Sequence, residues 1–259
     1  VFKLTKKKAN CVRRVSNWST IKKHHKFENQ AFNKDTVLQD LEKYSPKLKI
    51  LIENIQKLDE NDMKESNKKF KHVIYSDVKQ MGHGVKIIAS VLKSFGYEPC
   101  FKLDKNTIEV FPSKEKGKGF GMMVSTPLFG KNFTVKNKKR IQEIYNERPT
   151  NIHGDSMRII LIDNGFKEGI DLFDVKYMHI YEPQTTVADF RQAMGRATRF
   201  CGQKGLKFVP NKGWKLDVFT YNVIHEKIDK ETVNLHDVFM KNSGLNLENT
   251  TDIIMFHKF

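Results

Sequence analysis

In the stretch DFRQAMGRATRF, residues 189–200, Gln192, Arg196 and Arg199 recur at i, i+4 and i+7. At 3.6 residues per turn these positions share one stripe of a helix. Two guanidiniums and an amide in register donate hydrogen bonds to an anion with several oxygens, such as a triphosphate tail. Gly195 sits beside them. A glycine costs about 1 kcal/mol relative to alanine inside a helix, and it makes sense there if another backbone or a ligand comes close. The opposite side, Phe190, Ala193, Met194, Ala197 and Phe200, has the character of core, which would anchor the helix and hold its arginines. A solvated basic face is the plain alternative in a chain this charged.

The elements that must position this helix follow from hydrophobic periodicity. Apolar strands are predicted at 71–76, 120–126, 157–163, 175–183 and 215–223, and amphipathic helices at 84–97, 134–148 and 185–200. Ser45 and Pro46 open a further helix as N-cap and first-turn residue, with Leu48, Leu51, Ile52, Ile55 and Leu58 at helical spacing. That helix is expected to stop in the polar run DENDMKESNKK, which has the composition of a loop. Strands alternating with helices predict an α/β fold, a parallel sheet covered on both faces. Such sheets present ligand-binding residues at the carboxyl ends of their strands. The segments SDVKQMGHG, IDNGFKEGIDL and EPQTTVAD all follow strands, so the polar residues should line one rim.

The chain has 259 residues, 46 Lys and Arg against 30 Asp and Glu, and a formal net charge of +16. An excess of that size favours polyanions through phosphate contact and counterion release; a lysine-rich composition bias is the alternative. Before Glu28 there is no acidic residue, so 1–44 is expected to be a basic extension, either an arm on a phosphate backbone or a solvated connector. The remainder divides into a domain over 45–228 and a C-terminal extension over 229–259. Cys11, Cys100 and Cys201 are few and scattered, which argues against a disulfide framework or a zinc ribbon and for a reducing, intracellular, cytoplasmic setting. No apolar run is long enough for a membrane span, and Val1 followed by lysines does not resemble a signal peptide. Beginning without Met, the chain is expected to be a piece of something longer.

QAMGRATR matches the Q-x-x-G-R-x-x-R form of motif VI in superfamily-2 helicases and translocases. EGIDL resembles their motif V, HVIYSD their motif IV, and SPKLKILIENI the helix that precedes motif IV. All four stand in the family order. The chain therefore resembles the second RecA-like lobe, a three-layer parallel-sheet helicase C-terminal domain. More narrowly, GFKEGIDLFDVKYMHIYEP followed by GRATRFCGQKGL resembles helicases of large cytoplasmic DNA viruses, of the poxvirus early transcription factor ATPase and nucleoside triphosphate phosphohydrolase type.

The resemblance implies that Arg196 and Arg199 are arginine fingers, with Gln192 as the leading polar residue of the motif. They would act on ATP and Mg2+ held mainly by an N-terminal RecA-like lobe. It places Gly169, Asp171 and Gly195 at the nucleotide cleft. Ser76, Gly82, Gly84 and Lys167 would face DNA or RNA, although GHG could equally be a simple turn into the next helix. The implied function is nucleic-acid-stimulated ATP hydrolysis in viral transcription or genome handling, in a viral factory or virion, with viral transcription machinery as a further partner. A non-catalytic nucleic-acid- or protein-binding module is the alternative.

Two departures stand out. Asp163 and Asn164 occupy the place where relatives carry a phosphate-binding Ser or Thr. No G-x-x-x-x-G-K-[ST] occurs, and LDEND follows a helix rather than a strand, so it makes a poor Walker B. This chain alone is expected to be inactive as an ATPase, and neither a metal site nor a hydrolase triad is expected.

Overall fold

In a computed structural model, residues 13–166, 170–184, 187–195, 197, 202–211 and 213–221 are described. Six parallel strands form the central sheet in the order β2-β5-β6-β1-β7-β8. They are β1 (Lys71–Ser76), β2 (Glu98–Pro99), β5 (Gly119–Met123), β6 (Ile159–Asp163), β7 (Val175–Ile180) and β8 (Asp217–Thr220). An antiparallel hairpin, β3 (Phe101–Asp104) with β4 (Thr107–Val110), stands outside it. Parallel neighbours require crossovers, and α3 (Val85–Ser94), α4 (Val135–Asn146) and α5 (Val187–Gly195) lie in them, while α1 (Lys34–Tyr44) and α2 (Pro46–Ser66) precede β1. The inner strands β1, β5 and β6 are buried along their whole length, as sheets covered on both faces require. The expected α/β parallel-sheet fold is therefore present.

Alternation along β1 separates the two layers. Lys71 points to α4, where its ammonium donates to the Tyr145 carbonyl at 2.7 Å; burial brings this lysine's pKa down to about 7. His72 points the other way, toward α2. Ser45 caps α2 by accepting from the Leu48 amide at 3.2 Å, with Pro46 in the first turn, as expected.

The polar run after Leu58 is helix, not loop, and α2 continues to Ser66. Asp59 and Asp62 extend the buried stripe of Leu48, Leu51, Ile52 and Ile55 at helical spacing. They are tolerated there because each meets a partner on the sheet. Asp59 pairs with Arg158 at 2.5 Å and faces His72 at 3.5 Å. Asp62 takes the Tyr177 hydroxyl at 2.9 Å and pairs with Lys176. LDEND is thus part of the helix–sheet interface.

Between α2 and the sheet runs a chain of donors. The Asn54 amide donates to the Tyr221 hydroxyl at 2.8 Å, which leaves that hydroxyl to donate to His179 Nδ1 at 2.7 Å. His179 must then carry its proton on Nε2 and give it to His72 Nδ1 at 2.9 Å, and His72 Nε2 faces Asp59. Both imidazoles are fully buried, and burial lowers their pKa values, that of His179 well below the usual histidine range.

Residues 13–44 do not form a solvated connector. Trp18, Phe27, Val37 and Leu41 belong to the same core as the sheet, and α1 packs against both α2 and α3. Lysine-rich spacing hid this segment's few large apolar residues. The expected extension at 229–259 lies outside the described residues.

Candidate functional site

The carboxyl ends of β1, β5, β6 and β7 form the expected rim, and its centre is a buried carboxylate. Glu182 follows β7 by two residues and has no solvent exposure. Its Oε1 accepts from the Ser76 hydroxyl at 2.6 Å and from the Asn17 amide, while Oε2 accepts from the Asp77 backbone N–H at 3.1 Å. Burial raises its pKa, opposed by the positive charges of Arg13 and Lys47 and by the Ser76 hydrogen bond. Asn17 also donates to the His83 carbonyl at 2.9 Å. Buried Arg13 pairs with Asp77 at 2.7 Å, and Asp77 accepts from the Asn164 amide at 3.0 Å. One polar node thus joins the incoming N-terminal segment to the loops after β1, β6 and β7.

Asp163 ties in the β5 end. It accepts from the Ser125 amide and hydroxyl, both at 2.8 Å, and from the Gly165 amide at 2.8 Å. Lys79 lies 3.9 Å from it. Asp163 and Asn164 therefore serve to lock loops to one another. Asp77, Asp163 and Glu182 thus each hold internal donors.

The expected nucleic-acid residues divide sharply. Ser76 is fully buried with its hydroxyl given to Glu182, so in this arrangement it does not face a phosphate. Gly84 is buried too, and its glycine is demanded by packing: a Cβ there would lie 1.8 Å from the Val78 carbonyl oxygen. Both residues have structural roles in this arrangement. Gly82 has φ +84°, at a turn where exposed Met81 also adopts a left-handed conformation. Lys167 lies outside the described residues.

The turn borders a cleft of about 510 Å³ lined by Ile21, Lys26, Phe27, Lys79, Lys86 and Phe129 among others. Its one internal acid, Glu28, is held by Lys86 at 2.9 Å and by the Phe129 amide at 2.9 Å. Lys26 and Lys79 therefore give its mouth a positive character.

In α5, Ala193 and the following Ala197 are buried, Phe190 and Met194 pack against the core, and Gln192 is exposed. Beside them Gly195 has open space: no atom lies within 4 Å of where a Cβ would stand. Arg196, Arg199 and Phe200 lie outside the described residues. So does Gly169, whereas Asp171 is exposed between buried Ile170 and Leu172. The Asp171 carbonyl accepts from Gln142 at 3.0 Å and Asn146 at 2.7 Å, which fixes the strand approach to α4.

Among the described residues one group has metal-ligand composition, His24, His25 and Asp40, with ligand atoms within 4.8 Å of one another. His25 Nδ1 accepts from the Lys22 amide at 3.1 Å, so its proton sits on Nε2 and is donated to Asp40 at 2.8 Å. Two of these three groups are thus hydrogen-bonded to each other. Sequence reasoning missed Glu182, Arg13, Asn17 and Asp77. The signal for Glu182, a lone acid directly after an apolar strand, is present in YEP; the N-terminal partners carry no local signal.

Residues 105–201 match the family described as helicase conserved C-terminal domain. Over 97 residues the chain is 31% identical to the putative ATP-dependent RNA helicase R350 of Acanthamoeba polyphaga mimivirus, covering 37% of this chain and 11% of that one. It is 29% identical over 128 residues to an uncharacterized killer plasmid pGKL-2 helicase of Kluyveromyces lactis, covering 48% and 18%. To the putative ATP-dependent RNA helicase R563 of the same mimivirus it is 23% identical over 200 residues, covering 77% and 30%. The matched regions thus span between 11% and 30% of these relatives' lengths. The parallel six-stranded sheet with its flanking helices fits the RecA-like α/β fold of helicase C-terminal domains, the family whose model residues 105–201 match.

Proposed function

We propose that this helicase C-terminal domain is the second motor lobe of a nucleic-acid-dependent ATPase, completing an active site whose phosphate cradle lies on another lobe. The supporting observation is the anchoring of α5: its apolar side is held by the core while Gln192 and the open flank of Gly195 face outward. Arg196 and Arg199, just beyond α5 in the sequence, are the residues that stabilise the charge spreading over the oxygens of the transferring phosphoryl group. Asp171 and Gly169 border the nucleotide. ATP and Mg2+ are held mainly by the partner lobe, in keeping with rim carboxylates already engaged in internal bonds. Nucleic acid follows the cleft mouth at Lys26, Lys79 and Gly82, and Lys167 is a further contact. Work on a viral or plasmid genome or its transcripts, inside a cell, is the setting this reading favours.

The test is turnover in a protein that joins this chain to a P-loop lobe. Arg196→Ala is expected to lower nucleic-acid-stimulated ATP hydrolysis by about 10³-fold or more while oligonucleotide binding is retained. Unchanged turnover would remove the finger assignment and leave a binding module.

A further inference from the structure

A hairpin over 206–216 follows α5 and stands at the opposite edge of the sheet from the rim. Its base adjoins Asp174, which immediately precedes β7, and its end runs into Asp217, the first residue of β8. It therefore lies at the amino ends of the strands, whereas Ser76, Asp163 and Glu182 mark the carboxyl ends.

The base is built rigidly. Asp174 is fully buried and takes Arg148 in a two-point bond, both at 2.7 Å. It also accepts from the Gly205 amide at 2.8 Å, and Arg148 donates to the Gly202 carbonyl at 2.6 Å. A Cβ on Gly205 would come 2.8 Å from the Asp174 carboxylate, so only glycine allows that approach. Val209 and Gly213 exchange both backbone hydrogen bonds, at 3.0 and 2.8 Å, and the Trp214 indole N–H donates to the Leu206 carbonyl at 3.1 Å.

This well-fixed hairpin displays aromatic side chains instead of burying them. Phe208 and Trp214 pack edge to face with centroids 4.9 Å apart, yet remain 52% and 38% exposed. Lys204, Lys207 and Lys215, which flank them in sequence, are exposed as well. Lys215 lies 3.0 Å from Asp217. No acidic residue occurs between Asp189 and Asp217, while Arg191, Arg196, Arg199, Lys204, Lys207, Lys212 and Lys215 all do. Exposed rings framed by cations suit a base with its two flanking phosphates, because every base has a face to stack and carries anionic neighbours. An apolar protein partner would gain nothing from the cations.

We propose that this hairpin is a second nucleic-acid contact, where an unpaired base stacks on the Phe208–Trp214 pair while Lys204 and Lys207 hold the adjoining phosphates. The inference rests on the nucleic-acid part of the function proposed above, but concerns a different edge of the sheet. Pre-set rings and a rigid base lower the ordering entropy that a flexible loop would lose on binding.

The chain carries its own reporter, since of its two tryptophans Trp18 is fully buried and Trp214 is not. Titration with oligothymidylate is expected to quench tryptophan emission along the same isotherm as the anisotropy of a labelled oligothymidylate. The duplex with oligodeoxyadenylate should quench little. Trp214→Ala and Phe208→Ala should each weaken single-strand binding about tenfold, with Trp214→Phe restoring most of it. Binding by anisotropy with unchanged emission and unaltered affinity in both alanine variants would overturn the hairpin contact and spare the rim. Equal quenching by duplex would overturn stacking. Loss of self-association in Trp214→Ala, with oligonucleotide binding intact, would assign the surface to protein contact instead. Absence of any oligonucleotide binding would take down the nucleic-acid reading of the whole chain.

Discussion

Glu182 and Gly84 show how single residues set the rim. Glu182 gathers Ser76, Asn17 and the Asp77 amide, so one side chain ties two separate segments to its own. Gly84 lets the turn after β1 fold flat onto the Val78 carbonyl. Gly84→Ala should therefore destabilise the domain by about 3 kcal/mol, the upper part of the usual overpacking range. Gly195→Ala, with open space around the same atom, should be near neutral by thermal melting. If the two substitutions shift the melting temperature alike, the close approach at Gly84 is wrong. Neither difference is visible in the letters. GHG resembles a nucleic-acid turn as readily as a packing turn, because glycine is selected for both an approaching ligand and an approaching backbone.

At the scale of elements, α2 and the histidine pair are the clearest case. The periodic apolar stripe of α2 was legible, and so was its cap, but Asp59 and Asp62 broke the stripe's chemistry without breaking its geometry. Their partners come from β7, β1 and Arg158 just before β6, far away in sequence. The His72–His179 link has a pH consequence. Both folded-state pKa values lie below the usual histidine value of about 6.5, because burial disfavours the imidazolium. The unfolded chain then binds protons that the folded one refuses, so stability falls as pH drops below about 6.5. His25, His83 and His153 are shifted in the same direction, while Glu182, raised by burial, works in the opposite one. The facing groups are Asp59, Asp62 and Arg158 for His72, and His72 with Tyr221 for His179. Melting temperature should decline between pH 7 and pH 5, and decline less steeply in His179→Gln. An identical slope in that variant would show that the pair does not titrate as described.

For the whole molecule, charge is the dominant property. With +16 formal charges, binding to single strands should weaken steeply with salt. Each phosphate contact contributes about −0.7 to the slope of log K against log salt, so Lys79→Ala or Lys207→Ala should each flatten it by roughly that amount. A slope unaffected by either would place the binding elsewhere. Among the described residues no helix is long and apolar enough to cross a membrane. Whole-molecule packing also revised the N-terminal segment. Composition made 1–44 resemble a basic arm, yet Trp18 is fully buried and Arg13 closes the node at Asp77.

By itself the sequence determined the alternation of strands and helices, hence the parallel sheet and its rim, because backbone periodicity follows from local side-chain pattern. It also determined the run of cations and the motif order. Only the tertiary structure decided that Ser76 and Gly84 serve packing, that a polar run is helix, that Glu182 organises the rim, and that an aromatic hairpin stands on the far edge. The roles of Ser76, Asp59, Asp62 and Glu182 depend on partners tens of residues away, and the free energy of a buried polar group is set by what it meets rather than by its neighbours in the chain.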